Sequence, residues 1–203
     1  MLDKDFIRDV EQSCESALID VGFKRPRKGT RYLEITEDFL GWVGINHGRH
    51  PDYLRINPFV GIHCVPLMRL CDDLEGEKYR KGAIATVSVH LGEICPHVDQ
   101  FIFCPSEPIE PEARRLSTII YEHGVPWMTR HASYEAILPI LQSKAPTLGG
   151  YPERVAATHY LMGNEKKAQD FVAEQRAIFE TEHKEYSPFF ERFAGPFMKL
   201  MAA

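Results

Sequence analysis

Residues 38–64 (DFLGWVGINHGRHPDYLRINPFVGIHC) constrain the fold more than any other stretch of this chain. Two strand-like runs flank a turn-rich loop from His47 to Asp52. In the second run, every other residue from Leu54 to Cys64 is apolar or proline, which is typical of a strand with one buried face. In the first run, apolar residues occupy both faces. The pattern predicts a long β-hairpin that organises a sheet.

Strand patterns are concentrated in residues 31–104, and helix patterns dominate the chain after them. Further alternating runs predict strands at Arg31–Thr36, Ala83–Leu91 and Val98–Cys104, whereas the basic run Lys24–Lys28 is interpreted as a solvated turn. Helical periodicity predicts helices near residues 3–21, 65–74, 111–123, 133–142, 152–162 and 165–186. The segregation favours an α+β fold, with a mostly antiparallel sheet over about residues 31–104, an N-terminal helix and a C-terminal helical region.

Proline and glycine cluster between Pro146 and Pro152, as in a linker. We therefore expect an α+β domain over residues 1–145, followed by a helical hairpin and tail over residues 146–203 that pack on it. The tail carries an aromatic stripe, from Phe189 to Phe197, that we expect to dock on the core.

Composition and charge exclude several function classes. The 203-residue chain has a net charge of −5 and no basic block, which argues against nucleic-acid binding. No apolar run approaches the roughly 18 residues of a membrane-spanning helix. Because the start lacks a signal-peptide pattern and the five cysteines are irregularly spaced, we expect a cytoplasmic protein with reduced thiols.

Metal and cofactor motifs are weak in this sequence. A zinc site of Cys95, His97 and Cys104 with His63 or His90 is conceivable, but the paired short spacings of structural zinc sites are absent. Phosphate-binding and dinucleotide-binding glycine motifs are absent as well. The sequence therefore predicts neither a bound metal nor an organic cofactor.

The polar face of the predicted sheet carries the alternative hypothesis of an enzyme. There, His63 and His90 would act as acid and base towards Glu34 or Arg55, as in a hydrolase or transferase for small molecules. Two interpretations of this face stay open. It is either a recognition surface, or a surface that the C-terminal helices cover.

Short motifs resemble a known group of families. They are the helix end at Leu18 with Gly22-Phe23-Lys24, a strand opening with Tyr32, the hairpin run Gly44-Ile45-Asn46, and His123-Gly124-Val125-Pro126-Trp127. Over residues 5–145 the chain resembles bacterial domain-of-unknown-function family 4304 and similar proteins found among toxin-immunity genes. The resemblance implies an α+β protein with no assigned catalytic residues.

Together these observations favour a non-catalytic binding protein of the toxin-immunity kind. An acidic chain suits a basic protein partner, because complementary charge speeds encounter and raises specificity. The expected contact surface combines the loop from His47 to Tyr53 with an acidic cluster, and Tyr53 is the expected anchor. The members of the acidic cluster are Asp72, Asp73, Glu75 and Glu77.

Overall fold

The computed structural model describes the whole chain except Met1, residues 28–29, Asp99, residues 146–149, Ala203 and the side chains of residues 26–27. The elements are α1 (Lys4–Asp20), β1 (Lys24–Arg27), β2 (Thr30–Glu34), β3 (Phe39–Arg49), β4 (Leu54–Cys64), α2 (Val65–Glu75), β5 (Val87–His90), α3 (Leu91–Ile94), β6 (Phe101–Phe103), α4 (Ile109–Ile119), a π-helical turn (Ile120–Gly124), α5 (Val125–Arg130), α6 (Tyr134–Lys144), α7 (Pro152–Leu161), α8 (Glu165–Thr181) and α9 (Ser187–Met201). The predicted α+β class is confirmed.

The elements fall into two compact units. The first comprises residues 1–63 and 81–132, and the second comprises residues 64–80 and 133–203. The first unit contains the sheet, and the second unit is helical. Helix α2 belongs to the second unit although it precedes β5 and β6 in the chain. The expected division into domains at residue 145 stays a prediction.

The described strands of the first unit form one antiparallel sheet in the order β1-β2-β3-β4-β5, and β6 also pairs with β4. In the register, Phe59 to Ile62 of β4 pair with β5, whereas Leu54 to Ile56 pair with β6. Since β3 occupies the opposite edge of β4, β5 and β6 succeed one another along one edge. The predicted hairpin, β3 and β4, thus forms the centre of the sheet.

One face of this sheet is covered by helices of the same unit. A Cβ on Gly41 would lie 2.6 Å from the sulfur of Met128, and one on Gly124 would lie 3.1 Å from Val60. These close approaches place the π-helical turn and α5 directly against β3 and β4. On α1, Glu15 pairs with Arg31 of β2, whose side chain is only 1% exposed. Helix α1 therefore covers the same face.

The second unit is a helical assembly with an aromatic centre. Helices α7 and α8 pack together as the predicted αα-hairpin, and α2 packs on α7 and α9. Phe193 and Phe197 of α9 are buried and stack with ring centroids 4.8 Å apart, and Tyr160 of α7 meets Phe197 edge-on at 5.7 Å. These two phenylalanines of the aromatic stripe are thus buried within the second unit, and the docking of the tail on the domain of residues 1–145 stays a prediction.

Three details of the predicted secondary structure were wrong. Lys24–Arg27 forms an edge strand paired with β2 instead of a turn, and an edge strand is where a proline is tolerated. The strand expected over Ala83–Leu91 is reduced to Val87–His90. The helix expected to reach residue 186 ends at Thr181, and α9 then begins at Ser187 with Pro188 in its first turn, where the missing N–H is tolerated.

Candidate functional site

His63, the first of the two predicted acid/base groups, is a structural residue in this fold. Its ring is buried, with 1% of the residue exposed. Nδ1 donates to the carbonyl oxygen of Ile84 at 2.7 Å, and Nε2 accepts the backbone N–H of Gly82 at 3.3 Å. Because a carbonyl oxygen only accepts, these bonds fix one neutral tautomer. Both ring nitrogens hold the segment that leads into β5.

His90, the second predicted acid/base group, caps a short helix. Its Nδ1 accepts the backbone N–H of Gly92 at 3.1 Å, while its own backbone N–H donates to Glu93 Oε1 at 2.8 Å. This reciprocal arrangement is a capping box around the start of α3. The ring also meets Phe59 edge-on at 5.3 Å. These bonds account for the position of His90 without a catalytic role.

Glu34 and Arg55, the proposed partners of the histidines, have other neighbours. Glu34 is exposed and accepts hydrogen bonds from Lys24 Nζ at 2.6 Å and Lys81 Nζ at 3.3 Å. The bond from Lys24 is the main cause that lowers the pKa of Glu34. Arg55 lies beside Gly48 on β3, where a Cβ would be 3.5 Å from its guanidinium. These contacts do not assemble the acid/base group that the enzyme hypothesis requires.

The predicted binding residues lie in both units. In the first unit, Tyr53 is half-buried and its ring stacks on His50, with centroids 4.3 Å apart. In the second unit, Asp72, Asp73 and Glu75 occupy the last turn of α2, and Glu77 follows it.

The acidic cluster has a cationic partner that the sequence did not reveal. Arg192 of α9 donates to Glu77 Oε1 at 2.8 Å and to the backbone oxygen of Glu75 at 3.2 Å. Part of the predicted acidic surface is therefore already neutralised.

The zinc alternative requires Cys95 and His97, which follow α3, together with Cys104 directly after β6 and either His63 or His90. Cys95 is buried, His97 is exposed and Cys104 is half-buried. Across the described residues, no group of three or more His, Cys, Asp or Glu side chains is arranged to hold a metal ion. All five cysteines are free thiols. The described helices include none with the length and apolar content needed to cross a membrane.

A cavity of about 540 Å³ lies within the second unit, a size suited to a small organic molecule. Helices α7, α8 and α9 and the ends of α2 and α6 contribute to its lining. Its apolar wall consists of Ile178, Phe179, Tyr186, Phe189, Phe190 and Phe193. The rings of Phe179 and Phe190 are 5.2 Å apart, so the wall is continuous across two helices.

An ion pair fixes the two helices that carry this wall. Arg176 of α8 donates through Nε and Nη2 to the two carboxylate oxygens of Glu191 on α9, at 2.6 and 2.8 Å. A bidentate pair of this kind restrains both distance and orientation. Towards solvent, Phe189 is 68% exposed and Tyr186 is 40% exposed. The cavity thus has a fixed interior and an exposed aromatic mouth.

Polar side chains also line the cavity: Glu75, Glu153, Gln175, Glu182, His183 and Arg192. Glu153 is the second residue of α7, and its side chain is 18% exposed. Burial raises the pKa of Glu153 to about 7, and the attraction of Arg154 opposes this rise. The nearest guanidinium nitrogen, Arg154 Nε, is 4.0 Å from Glu153 Oε1. A helix N-terminus normally favours a carboxylate, so here desolvation outweighs both attractions.

Sequence patterns did not identify the cavity, because its lining residues are far apart along the chain. Glu75 belongs to α2, whereas the other polar lining residues come after Gly150. Two signals were nevertheless present. The aromatic stripe at Phe189, Phe190 and Phe193 is visible in the sequence, and Glu153 follows Pro152 at the start of a predicted helix.

Comparison with protein-family models, curated proteins and solved structures finds no match to this chain. The resemblance to immunity-associated families stays an expectation from short motifs.

Proposed function

We propose that this protein is a non-catalytic binding protein whose ligand occupies the cavity of the second unit. The observation that carries the proposal is the cavity itself, which has a volume of about 540 Å³ and is lined by aromatic and polar side chains. Ligand sites in proteins combine these features, since the apolar wall supplies affinity and the polar groups supply orientation.

The positions of the two histidines support binding over catalysis. A general base must reach the proton it removes, and both ring nitrogens of His63 are already bonded to the backbone. In His90, Nδ1 accepts from the backbone at the start of α3. The five free thiols suit the reducing cytoplasm that we proposed from the sequence.

Blocking the cavity tests the proposal. The Ile178→Trp variant places a larger side chain at the cavity wall, and Ala177→Trp places the same side chain on an exposed position of the same helix. A library of small organic compounds with cationic, neutral and anionic head groups is screened by ligand-detected NMR against the wild type and both variants.

We expect compounds that bind the wild type and Ala177→Trp but are lost with Ile178→Trp. Compounds that bind all three proteins equally would place binding elsewhere. An absence of binders to the wild type would contradict a small-molecule cavity.

A toxin-immunity role is the second candidate, and the hairpin tip favours it. Tyr53 is ordered there by its stacking on His50, and an ordered aromatic side chain is a suitable anchor for a protein interface. The net charge of −5 suits a basic toxin. The ion pair between Arg192 and Glu77 leaves Asp73, which is exposed, as the acidic contact most open to a partner.

A pull-down from the source organism tests this candidate, with proteins encoded by neighbouring genes identified by mass spectrometry. We expect a basic partner whose binding weakens at least tenfold in Tyr53→Ala, while Tyr121→Ala, at an exposed tyrosine elsewhere in the first unit, leaves it unchanged. A stable partner whose binding is unchanged by Tyr53→Ala would contradict the proposed anchor, and one whose binding is unchanged by Asp73→Lys would contradict the proposed acidic contact.

A further inference from the structure

The charges around the cavity of the second unit are unbalanced. Glu75, Glu153 and Glu182 line it, whereas Arg192 is the single arginine among the lining residues described. The Arg192 guanidinium already donates to Glu77 and to the backbone of Glu75, at 2.8 and 3.2 Å. A ligand therefore meets an excess of carboxylate groups.

Two of these carboxylates are poorly compensated by the protein. Burial is the largest influence on both Glu75 and Glu153, and it raises the pKa of each. Arg192 acts against this rise at Glu75, and Arg154 acts against it at Glu153, but neither cancels it. The negative charge of Glu75 raises the pKa of Glu153 further. A cation in the cavity that approaches these carboxylates would offset the cost of burying their charge.

The apolar wall of the cavity is suited to the apolar part of a cationic ligand. Phe179, Phe190 and Phe193 provide apolar surface, and Phe189 stands at the exposed mouth. The faces of aromatic rings attract cations as well as apolar groups. An anionic head group would be repelled by the three glutamates.

We propose that the cavity binds a small organic cation with an apolar body, the ammonium group facing Glu75 and Glu153 and the body lying against the phenylalanines. The inference rests on the proposed function and adds the chemical class of the ligand. It does not depend on the toxin-immunity candidate.

Three probes with one apolar body and different head groups test the inference: 4-phenylbutylamine, 4-phenylbutan-1-ol and 4-phenylbutanoate. Binding to the full-length protein is measured by isothermal titration calorimetry near pH 8, where Glu153 is largely ionised. We expect the amine to bind at least tenfold more tightly than the alcohol, and the carboxylate to bind more weakly than either. Equal affinities for amine and alcohol, or a preference for the carboxylate, would overturn the cation inference but leave the cavity as a ligand site.

Glutamine variants then test the assigned carboxylates. We expect Glu153→Gln and Glu75→Gln each to lower the affinity for the amine about tenfold and to leave the alcohol unchanged. Glu174→Gln is the matched control, because this exposed glutamate lies on α8 outside the cavity lining. An amine preference that survives both cavity variants would overturn the assignment. If none of the three probes binds the wild type, the proposed cavity function fails together with the inference.

Discussion

The Glu153→Gln substitution should stabilise the protein, and the gain should depend on pH. Burial raises the pKa of this carboxyl from 4.5 to about 7 in the folded protein. The folded state therefore binds the proton more tightly than the unfolded state, so the free energy of unfolding falls as the pH rises from about 4.5 to about 7. A glutamine of the same shape has no charge to desolvate and escapes this loss.

The magnitude follows from the pKa difference. A difference of about 2.5 at about 1.36 kcal/mol per pKa unit gives a gain of roughly 3 kcal/mol near pH 8. Near pH 5 the folded-state carboxyl is protonated and the unfolded one is mostly ionised, so the gain should shrink to about 1 kcal/mol. Urea unfolding followed by far-ultraviolet circular dichroism at both pH values measures these differences.

Two controls accompany this measurement. Glu174→Gln removes an exposed charge and should change the free energy of unfolding by less than about 0.5 kcal/mol at either pH. Tryptophan fluorescence reports on the first unit alone, because Trp42 and Trp127 both belong to it. If Glu153→Gln destabilises the helices near pH 8, or has the same effect at both pH values, the buried and poorly compensated carboxylate is not a feature of this protein.

Two further predictions concern the first unit. Glu15→Ala removes the carboxylate that pairs with the buried Arg31 guanidinium and should lower the free energy of unfolding by about 3–5 kcal/mol. The double variant Glu15→Leu with Arg31→Met should recover most of this loss. Urea unfolding measures both changes, and no loss in Glu15→Ala would refute the role of the ion pair. His63→Ala removes the partner of both the Gly82 N–H and the Ile84 carbonyl oxygen, so that destabilisation by about 2–4 kcal/mol is expected in tryptophan-monitored unfolding. A loss below about 0.5 kcal/mol would show that the ring does not hold the segment that leads into β5.

The fold could be predicted from the sequence wherever the pattern was long and regular. In β4, the alternation from Leu54 to Cys64 coincides with a buried face, and the periodicity of α1 and α7 gave their bounds to within two residues. Short elements were less predictable, because their structure depends on partners elsewhere in the chain. The strand at Lys24 forms only because β2 offers an edge, and the residues before Val87 are held by the ring of His63.

The candidate site was less predictable than the fold. A histidine on a polar strand face has the same sequence pattern whether it performs proton transfer or bonds to the backbone, and only the positions of Gly82 and Ile84 distinguish the two for His63. The lining of the cavity includes Glu75, Glu153 and residues of α8 and α9, which are far apart in the sequence. Its chemistry depends on tertiary packing that periodicity does not encode.

Methyl NMR of isoleucine-labelled protein tests most directly whether the cavity binds a ligand. Ile178 lines the cavity, and Ile102, which is 41% exposed in the first unit, serves as the reference. The protein is titrated separately with 4-phenylbutylamine, 4-phenylbutan-1-ol and 4-phenylbutanoate. We predict that at least the amine shifts the Ile178 methyl signal to saturation while the Ile102 signal stays in place. An Ile178 signal that none of the three probes moves, or shifts of equal size at Ile102, would contradict the account.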